Sequence, residues 1–228
     1  MTAISAMEVQ HFRSETTGTQ HVLHFNNAGA ALMPDIVRDT VIDYLHLESK
    51  VGGYEAAQQH AQALNEGFYG SLARMIGAKA SEIAFTDSAT TAWYKAFRSL
   101  ELKAGDVVLT GQSEYCSNYI GLMQARKQLG IEIEIIPNDE SGAISPQAME
   151  KMIRPAVKLI AISHIPTNGG LINPAAEIGR IARSNGIFYL LDACQSLGQM
   201  AIDVNELQCD MLAATGRKFL RGPRGTGF

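Results

Sequence analysis

Lys218 stands between Arg217 and Phe219, three positions after Thr215, and the glycine-rich run Gly222-Pro223-Arg224-Gly225-Thr226-Gly227 follows it. A lysine amine can serve as a covalent nucleophile and proton carrier when a fold takes it out of water. The neighbouring glycines let backbone come close to a ligand. Standing alone, a lysine is a solvated surface charge. Four other stretches carry chemistry of a matching kind. Asp87-Ser88-Ala89-Thr90-Thr91 places small hydroxyl residues at a helix start. Such a start offers free N–H groups to an anion such as phosphate, or is a plain cap. Ser113 to Asn118 includes Tyr115, which could stack on a planar ring or lie on the surface, and Cys116, a small residue rather than a nucleophile. His164 to Gly170 sets Thr167 and Asn168 in a tight glycine-rich turn, while His164 has no companion at metal-ligand spacing. Asp192-Ala193-Cys194-Gln195-Ser196 opens with a carboxylate at the end of an apolar run. A carboxylate placed there needs a cation or several donors, or it caps the following turn.

The elements that must position these residues alternate along the chain. Met33-Pro34-Asp35 begins a helix with Val37, Val41 and Leu45 at four-residue spacing, and proline suits a first helical turn. A second long helix is predicted from about Tyr54 to Met75, then a short strand over EIAFT (82–86) and a helix over TTAWYKAFRSLE. Strand VVLT (107–110), helix NYIGLMQARKQLG and strand IEIEIIP (131–137) follow. The last of these alternates Ile with Glu, which places it half exposed and near an edge. Turn residues 138–142 lead to a short helix near Pro146. Strand VKLIAIS (157–163), a helix from about Pro174 to Ser184, strand IFYLLDA (187–193) and strand CDMLAAT (209–215) complete the pass. Strands separated by helices imply βαβ units around a mainly parallel sheet, and near-continuous apolar strands imply cover on both faces. In such sheets ligands bind beyond the carboxyl ends of the strands, where all five chemical stretches fall.

Composition bounds the rest. The chain has 228 residues, 46% hydrophobic and 18% charged, with a net charge of −4. That suits a buried core and excludes an electrostatic case for nucleic acid or an anionic membrane as partner. No segment approaches the roughly 18 apolar residues of a membrane span, and the N-terminus lacks the apolar run of a signal peptide. Cys116, Cys194 and Cys209 are widely spaced and make no zinc pattern, so no metal is expected and a reducing cytoplasm is the simplest setting. A phosphate cradle, a stacking aromatic, a buried carboxylate and a lysine together suit one cofactor, pyridoxal 5′-phosphate. Its aldehyde forms a Schiff base with lysine, and its ring is an electron sink when an aspartate holds the pyridine proton. The P-loop pattern GxxxxGK[ST] is absent, as is a GxGxxG after the first strand.

Five stretches together resemble class V aminotransferases of the pyridoxal-phosphate fold type I, the group of cysteine desulfurases, selenocysteine lyases and isopenicillin N epimerase-like proteins. They are FNNAGAALMP (25–34), FTDSATTA (85–92), SHIPTNGGLINP (163–174), LLDACQSLGQ (190–199) and TGRKFLRGPRGTGF (215–228). The likeness runs nearly end to end, and the last two, with Asp192 and Lys218 26 positions apart, are specific as a pair.

The resemblance implies an α/β fold: a three-layer α/β/α large domain with a mainly parallel sheet, lacking the family's C-terminal small domain. Residues 1–50 would be an N-terminal segment serving active site and dimer, and 51–228 a cofactor-binding large domain incomplete at its C-terminus. Lys218 would form the Schiff base and shuttle a proton at the substrate Cα. Asp192 would pair with the pyridinium nitrogen, and Tyr115 would stack on the ring where many relatives place histidine. Ala89, Thr90, Thr215 and Arg217 would hold the phosphate. Gln195 and Thr167, with Asn168, would reach the phenolic oxygen, and Asn27, Ala28 and Gly29 would line the substrate side. The implied activity is on an amino acid, with C–S lyase or desulfurase chemistry first and transaminase or epimerase-like chemistry as alternatives. Arg217 departs from the histidine common in desulfurases. Family members continue well past the lysine loop, so a truncated chain is expected. With it comes a competing reading, a non-catalytic remnant that binds the cofactor or a partner chain. A third reading is an unrelated α/β binding module. A homodimer is expected.

Overall fold

The computed structural model describes residues 4–228. Among them β1 (Val107–Thr110), β2 (Glu132–Ile135), β3 (Val157–Ser163), β4 (Phe188–Asp192) and β5 (Met211–Ala213) form a parallel sheet in the order β2-β1-β3-β4-β5. β2 takes an edge, as its Ile/Glu alternation predicts, with Glu132 and Ile135 exposed. β1 and β3 lie inside, and all of their residues except Lys158 are buried.

Period-two side-chain alternation divides each inner strand between two cores. Val108, Leu159, Ala161 and Leu190 face Trp93 and Phe97 of α5 (Ala89–Arg98) and Leu122 and Ala125 of α6 (Cys116–Leu129). Trp93 and Phe97, four apart on α5, stack with ring centroids 5.1 Å apart. Val107, Leu109, Ile160, Ile162, Tyr189 and Leu191 face the other way. There they meet Met149 of α7 (Pro146–Met152) and Ile178 and Ala182 of α8 (Ala175–Ser184). The result is the three-layer α/β/α arrangement. α8 also rests against α9 (Val204–Leu207) at Gly179, where a Cβ would stand 1.9 Å from the Leu207 carbonyl oxygen. Only glycine permits that approach.

Three expectations need correction. EIAFT forms no ladder: Thr86 makes a single antiparallel bridge to Gly227, and the backbone of 83–85 has no strand beside it. Ile83 packs against the core and Phe85 against the Phe68 ring, and a strand without a neighbour is not a strand. The helix expected over 54–75 is divided. α3 (Gly53–Gln59) ends at His60, and the backbone then passes through a π-helical turn at Ala63–Tyr69 into α4 (Gly70–Ile76). Gly67 lies within the irregular turn and Gly70 follows it, and glycine weakens a helix interior. Pro34 does not occupy the first turn. It is the cap of α2 (Asp35–Val51), at φ −60° and ψ 149°.

Ahead of α2, the chain from α1 (Ala6–Ser14) onward returns to the lysine loop. The Ala31 N–H donates to the Arg217 carbonyl at 2.9 Å. Arg221, in the left-handed region at φ 58°, donates to Thr16 Oγ1 at 2.5 Å and to the Leu32 carbonyl at 3.2 Å. These bonds tie residues 16–32 to the segment that carries Lys218. Neither α1 nor α2 contains a buried residue.

Candidate active site

Parallel strands deliver their carboxyl ends to one side of the sheet, and loop residues converge there. Asp192 ends β4, in register with Ser163 on β3 and Ala213 on β5. It is buried, and its carboxylate is held from two sides. The Cys194 N–H donates to Oδ1 at 2.9 Å, and Asn118 Nδ2 donates to Oδ2 at 2.8 Å. The expected buried carboxylate is therefore present, with donors in place of a cation.

Lys218 is 4% exposed, and among the described residues no carboxylate lies at ion-pair distance from it. Its Nζ sits 5.4 Å from the centroid of the Tyr115 ring, a cation–π contact. The glycines close the loop around it, with the Gly222 N–H donating to the Gly216 carbonyl at 2.7 Å. Lys218, Arg217, Tyr115, Asp192, Cys194 and the α5 start at Ser88 to Thr90 line one cleft.

At that α5 start, Ser88 Oγ accepts from the Thr91 N–H at 3.1 Å. The N–H groups of Ala89 and Thr90 have no acceptor among the described residues. The α6 start lies alongside, with Thr90 Oγ1 3.3 Å from Ser117 Oγ. Two helix N-termini and the Arg217 guanidinium thus meet at one corner, a donor set suited to a phosphate. Gly227 seals the corner, because a Cβ there would lie 2.4 Å from Ser88 C and 2.6 Å from Ala89 N. Gly227→Ala is expected to push the lysine loop off α5 at a cost of about 1–3 kcal/mol, read from denaturant melts. An unchanged midpoint would show that loop and turn pack independently.

Other expected residues fall less simply. Gln195 Nε2 donates to Thr167 Oγ1 and to the Ala28 carbonyl, each at 3.1 Å, which joins three expected positions. Asn168 is exposed and makes no side-chain hydrogen bond among the described residues. Thr215 is buried, but its hydroxyl donates to the Thr226 carbonyl at 3.1 Å and accepts from Arg217 at 3.0 Å, so it braces the loop. Asn27 lines a separate groove beside His24, Leu32 and Phe219. The Gly29 N–H turns back to the Asn26 carbonyl at 3.1 Å.

Sequence reasoning singled out neither Ser117, Asn118 nor Glu114. The four-residue spacing of Glu114 and Asn118 at a helix start was the available signal. Glu114 is partly buried as a residue, yet its Oε2 is sealed from solvent without a partner. Burial pushes its carboxyl up to about 7 against the opposing pull of the Ser163 hydroxyl, and the Asp192 charge adds to the rise. Folded Glu114 binds its proton more tightly than the unfolded chain does. Its contribution to stability is full below the ordinary value of 4.5 and is lost as pH rises through about 7. Glu114→Gln is expected to flatten the fall in melting temperature across that window. An unaltered slope would sink the assignment.

The family profile for aminotransferase class-V matches residues 22–228. A probable cysteine desulfurase of Pyrococcus abyssi is 30% identical over 94% of this chain and 54% of its own length. Another, of Halalkalibacterium halodurans, is 36% identical over 77% of this chain and 41% of its own. The apo structure of a cysteine desulfurase from Thermococcus onnurineus NA1 superposes with a TM-score of 0.85 at 29% identity, over 96% of this chain and 55% of that one. The chain spans about half the length of the curated relatives it matches.

Proposed function

Because the chain belongs to the aminotransferase class-V family, we infer that it holds pyridoxal 5′-phosphate and acts through it on an amino acid. C–S bond chemistry of the cysteine desulfurase type is the leading reaction. The observation that carries the reading is a buried lysine amine without a counter-ion, in one cleft with a buried aspartate and two helix starts. The residues present fit the group. Ala89 and Thr90 N–H groups, the Ser117 hydroxyl and Arg217 would hold its phosphate. Asp192 would face its ring nitrogen and Tyr115 its ring. The Gln195–Thr167 pair would meet the phenolic oxygen, with Asn168 beside it, and Thr215 would act by bracing Arg217. When bound, the cofactor supplies an electron sink for charge that develops at the substrate Cα. Lys218 Nζ would hold the cofactor covalently and then take or return the Cα proton. Ala28, whose carbonyl meets Gln195, and Gly29 would border the substrate side, with Asn27 beside them in its own groove.

Residues 1–50 form, in this reading, a segment that completes the site and a homodimer, and 51–228 the cofactor-binding domain. Leu23, Phe25 and Tyr54 are each more than 90% exposed, which supports an apolar partner surface of that kind. Among the described residues no helix is long and apolar enough to cross a membrane. Three free cysteines suit a reducing cytoplasm.

The test is purification with pyridoxal phosphate, visible absorption, borohydride reduction and peptide mass spectrometry. Cofactor mass on Lys218 is expected, and label elsewhere or none would end the proposal. Product analysis then separates the reactions. Sulfur or pyruvate release marks lyase chemistry, and amino transfer to a keto acid marks a transaminase. Racemised substrate marks an epimerase-like enzyme, and binding without turnover marks a remnant. Arg217→Ala is expected to weaken the cofactor at least about tenfold while leaving pyridoxal, which lacks the phosphate, unaffected. Equal losses for the two ligands would remove Arg217 from the phosphate site.

A further inference from the structure

Asp192 does not stand alone at the end of β4. Asn118 Nδ2 carries two hydrogens, and the amide spans two carboxylates, Asp192 Oδ2 at 2.8 Å and Glu114 Oε1 at 3.3 Å. Both of those partners accept, so the amide cannot turn over without losing both bonds. Asn118 is 1% exposed, and water does not compete for it. Glu114 Oε1 is itself fixed by the Tyr115 N–H at 2.8 Å and by the Ser163 hydroxyl. Ser163 is the register partner of Asp192 on β3, and its carbonyl accepts from Asn173 Nδ2 at 2.8 Å. The chain Ser163–Glu114–Asn118–Asp192 therefore runs from the sheet back to the sheet and encloses the carboxylate. It includes the backbone of Tyr115, whose ring faces Lys218. The ionisable groups around this corner are Glu114, Tyr115, Cys116, Asp192, Cys194, Arg217 and Lys218.

We propose that Glu114 is a positioning residue: by holding the Asn118 amide through Oε1, it keeps the Asp192 carboxylate in one orientation toward the cofactor ring. Glu114 has no other evident use. It is outside the cleft that holds Lys218, and its Oε2 has no hydrogen-bond partner among the described residues. One oxygen that accepts from three donors is what the arrangement requires, and a neutral amide at position 114 offers the same oxygen. Charge on Glu114 is not required, which separates this role from electrostatic action on Asp192.

The inference rests on the reading of Asp192 as the ring partner, and two measurements keep the two apart. The first needs no cofactor: solvent exchange of the 15N-labelled Asn118 side-chain amide in the unloaded chain. Glu114→Ala is expected to speed it about tenfold, the scale of one lost hydrogen bond to a charged or buried acceptor. Glu114→Gln is expected to restore it. The second is the pH midpoint of the visible band in the pyridoxal phosphate-loaded chain. A ring nitrogen less firmly protonated withdraws fewer electrons, so the midpoint is expected to rise by about half a pH unit or more in Glu114→Ala and to return in Glu114→Gln. Wild-type behaviour in Glu114→Ala would overturn the proposal, as would a Gln variant that behaves like Ala. A fall in the midpoint in both variants would overturn it too, because it would mean that Glu114 acts by charge. A wild-type chain with no visible band would sink the cofactor reading, and amide exchange would still decide the role of Glu114.

Discussion

Lys218→Ala is expected to abolish covalent capture of pyridoxal 5′-phosphate and to slow exchange of the substrate Cα proton at least about 100-fold. The side chain is enclosed in the cleft, touches the Tyr115 face and has no ion-pair partner among the described residues. Its removal therefore takes away an amine and little else. The loop around it is held by backbone bonds from Gly222 to Gly216 and from Ala31 to Arg217, which an alanine leaves in place. The unloaded variant should consequently melt close to the wild-type temperature, since among the described residues the side chain takes no ion pair and no hydrogen bond with it. The pairing of lost capture with retained stability is the signature of a group kept for chemistry. A variant that still captures the cofactor, or that unfolds, would show that Lys218 is structural. Borohydride labelling, thermal melts and proton exchange of cysteine in deuterium oxide, followed by NMR, measure all three.

Asp192→Asn is expected to fold and still take up the cofactor, yet to slow Cα proton exchange by about 100-fold or more. The amide keeps the volume of the carboxylate and can still accept the Cys194 N–H, which now donates at 2.9 Å, but its NH2 then faces the Asn118 Nδ2 donor, 2.8 Å from the present Oδ2. What it lacks is the negative charge that would hold a proton on the ring nitrogen. Asp192→Ala goes further. It leaves one hydrogen of the Asn118 amide and the Cys194 N–H without an acceptor in a buried place, each at a cost of about 1–3 kcal/mol. The Ala variant should therefore lose two buried pairings as well as rate, and the Asn variant one of them as well as rate. Equal rates for wild type and Asp192→Asn would mean that Asp192 merely caps its turn.

The legible parts of this molecule are those in which a local pattern has one physical solution. VKLIAIS and IFYLLDA are apolar without interruption, and a strand covered on both faces is the arrangement that buries such runs; they became β3 and β4. IEIEIIP alternates, and β2 took the edge. EIAFT carried the same composition in miniature and formed no strand. What decided it was whether a neighbouring backbone was available, and among the described residues its strand-like pairing is with Gly227 at a single bridge. The helix drawn over 54–75 failed at His60 and at the π-helical turn Ala63–Tyr69 around Gly67, where glycine admits more than one helical geometry.

The sequence by itself determined the parallel α/β sheet, the placement of Asp192 and Lys218 at strand ends, and a hydroxyl-rich helix start that suits an anion. Each follows from short-range order: apolar periodicity, caps and glycines act within a few residues. The tertiary structure alone decided that Lys218 is buried against Tyr115, that Thr215 braces Arg217, and that Asn27 lies in another groove. It also decided that Asn118 reaches Asp192 across 74 positions of chain. Hydrogen bonds between loop side chains leave no period in a sequence, because their geometry is set by strand register and helix packing, which bring distant residues to one end of the sheet.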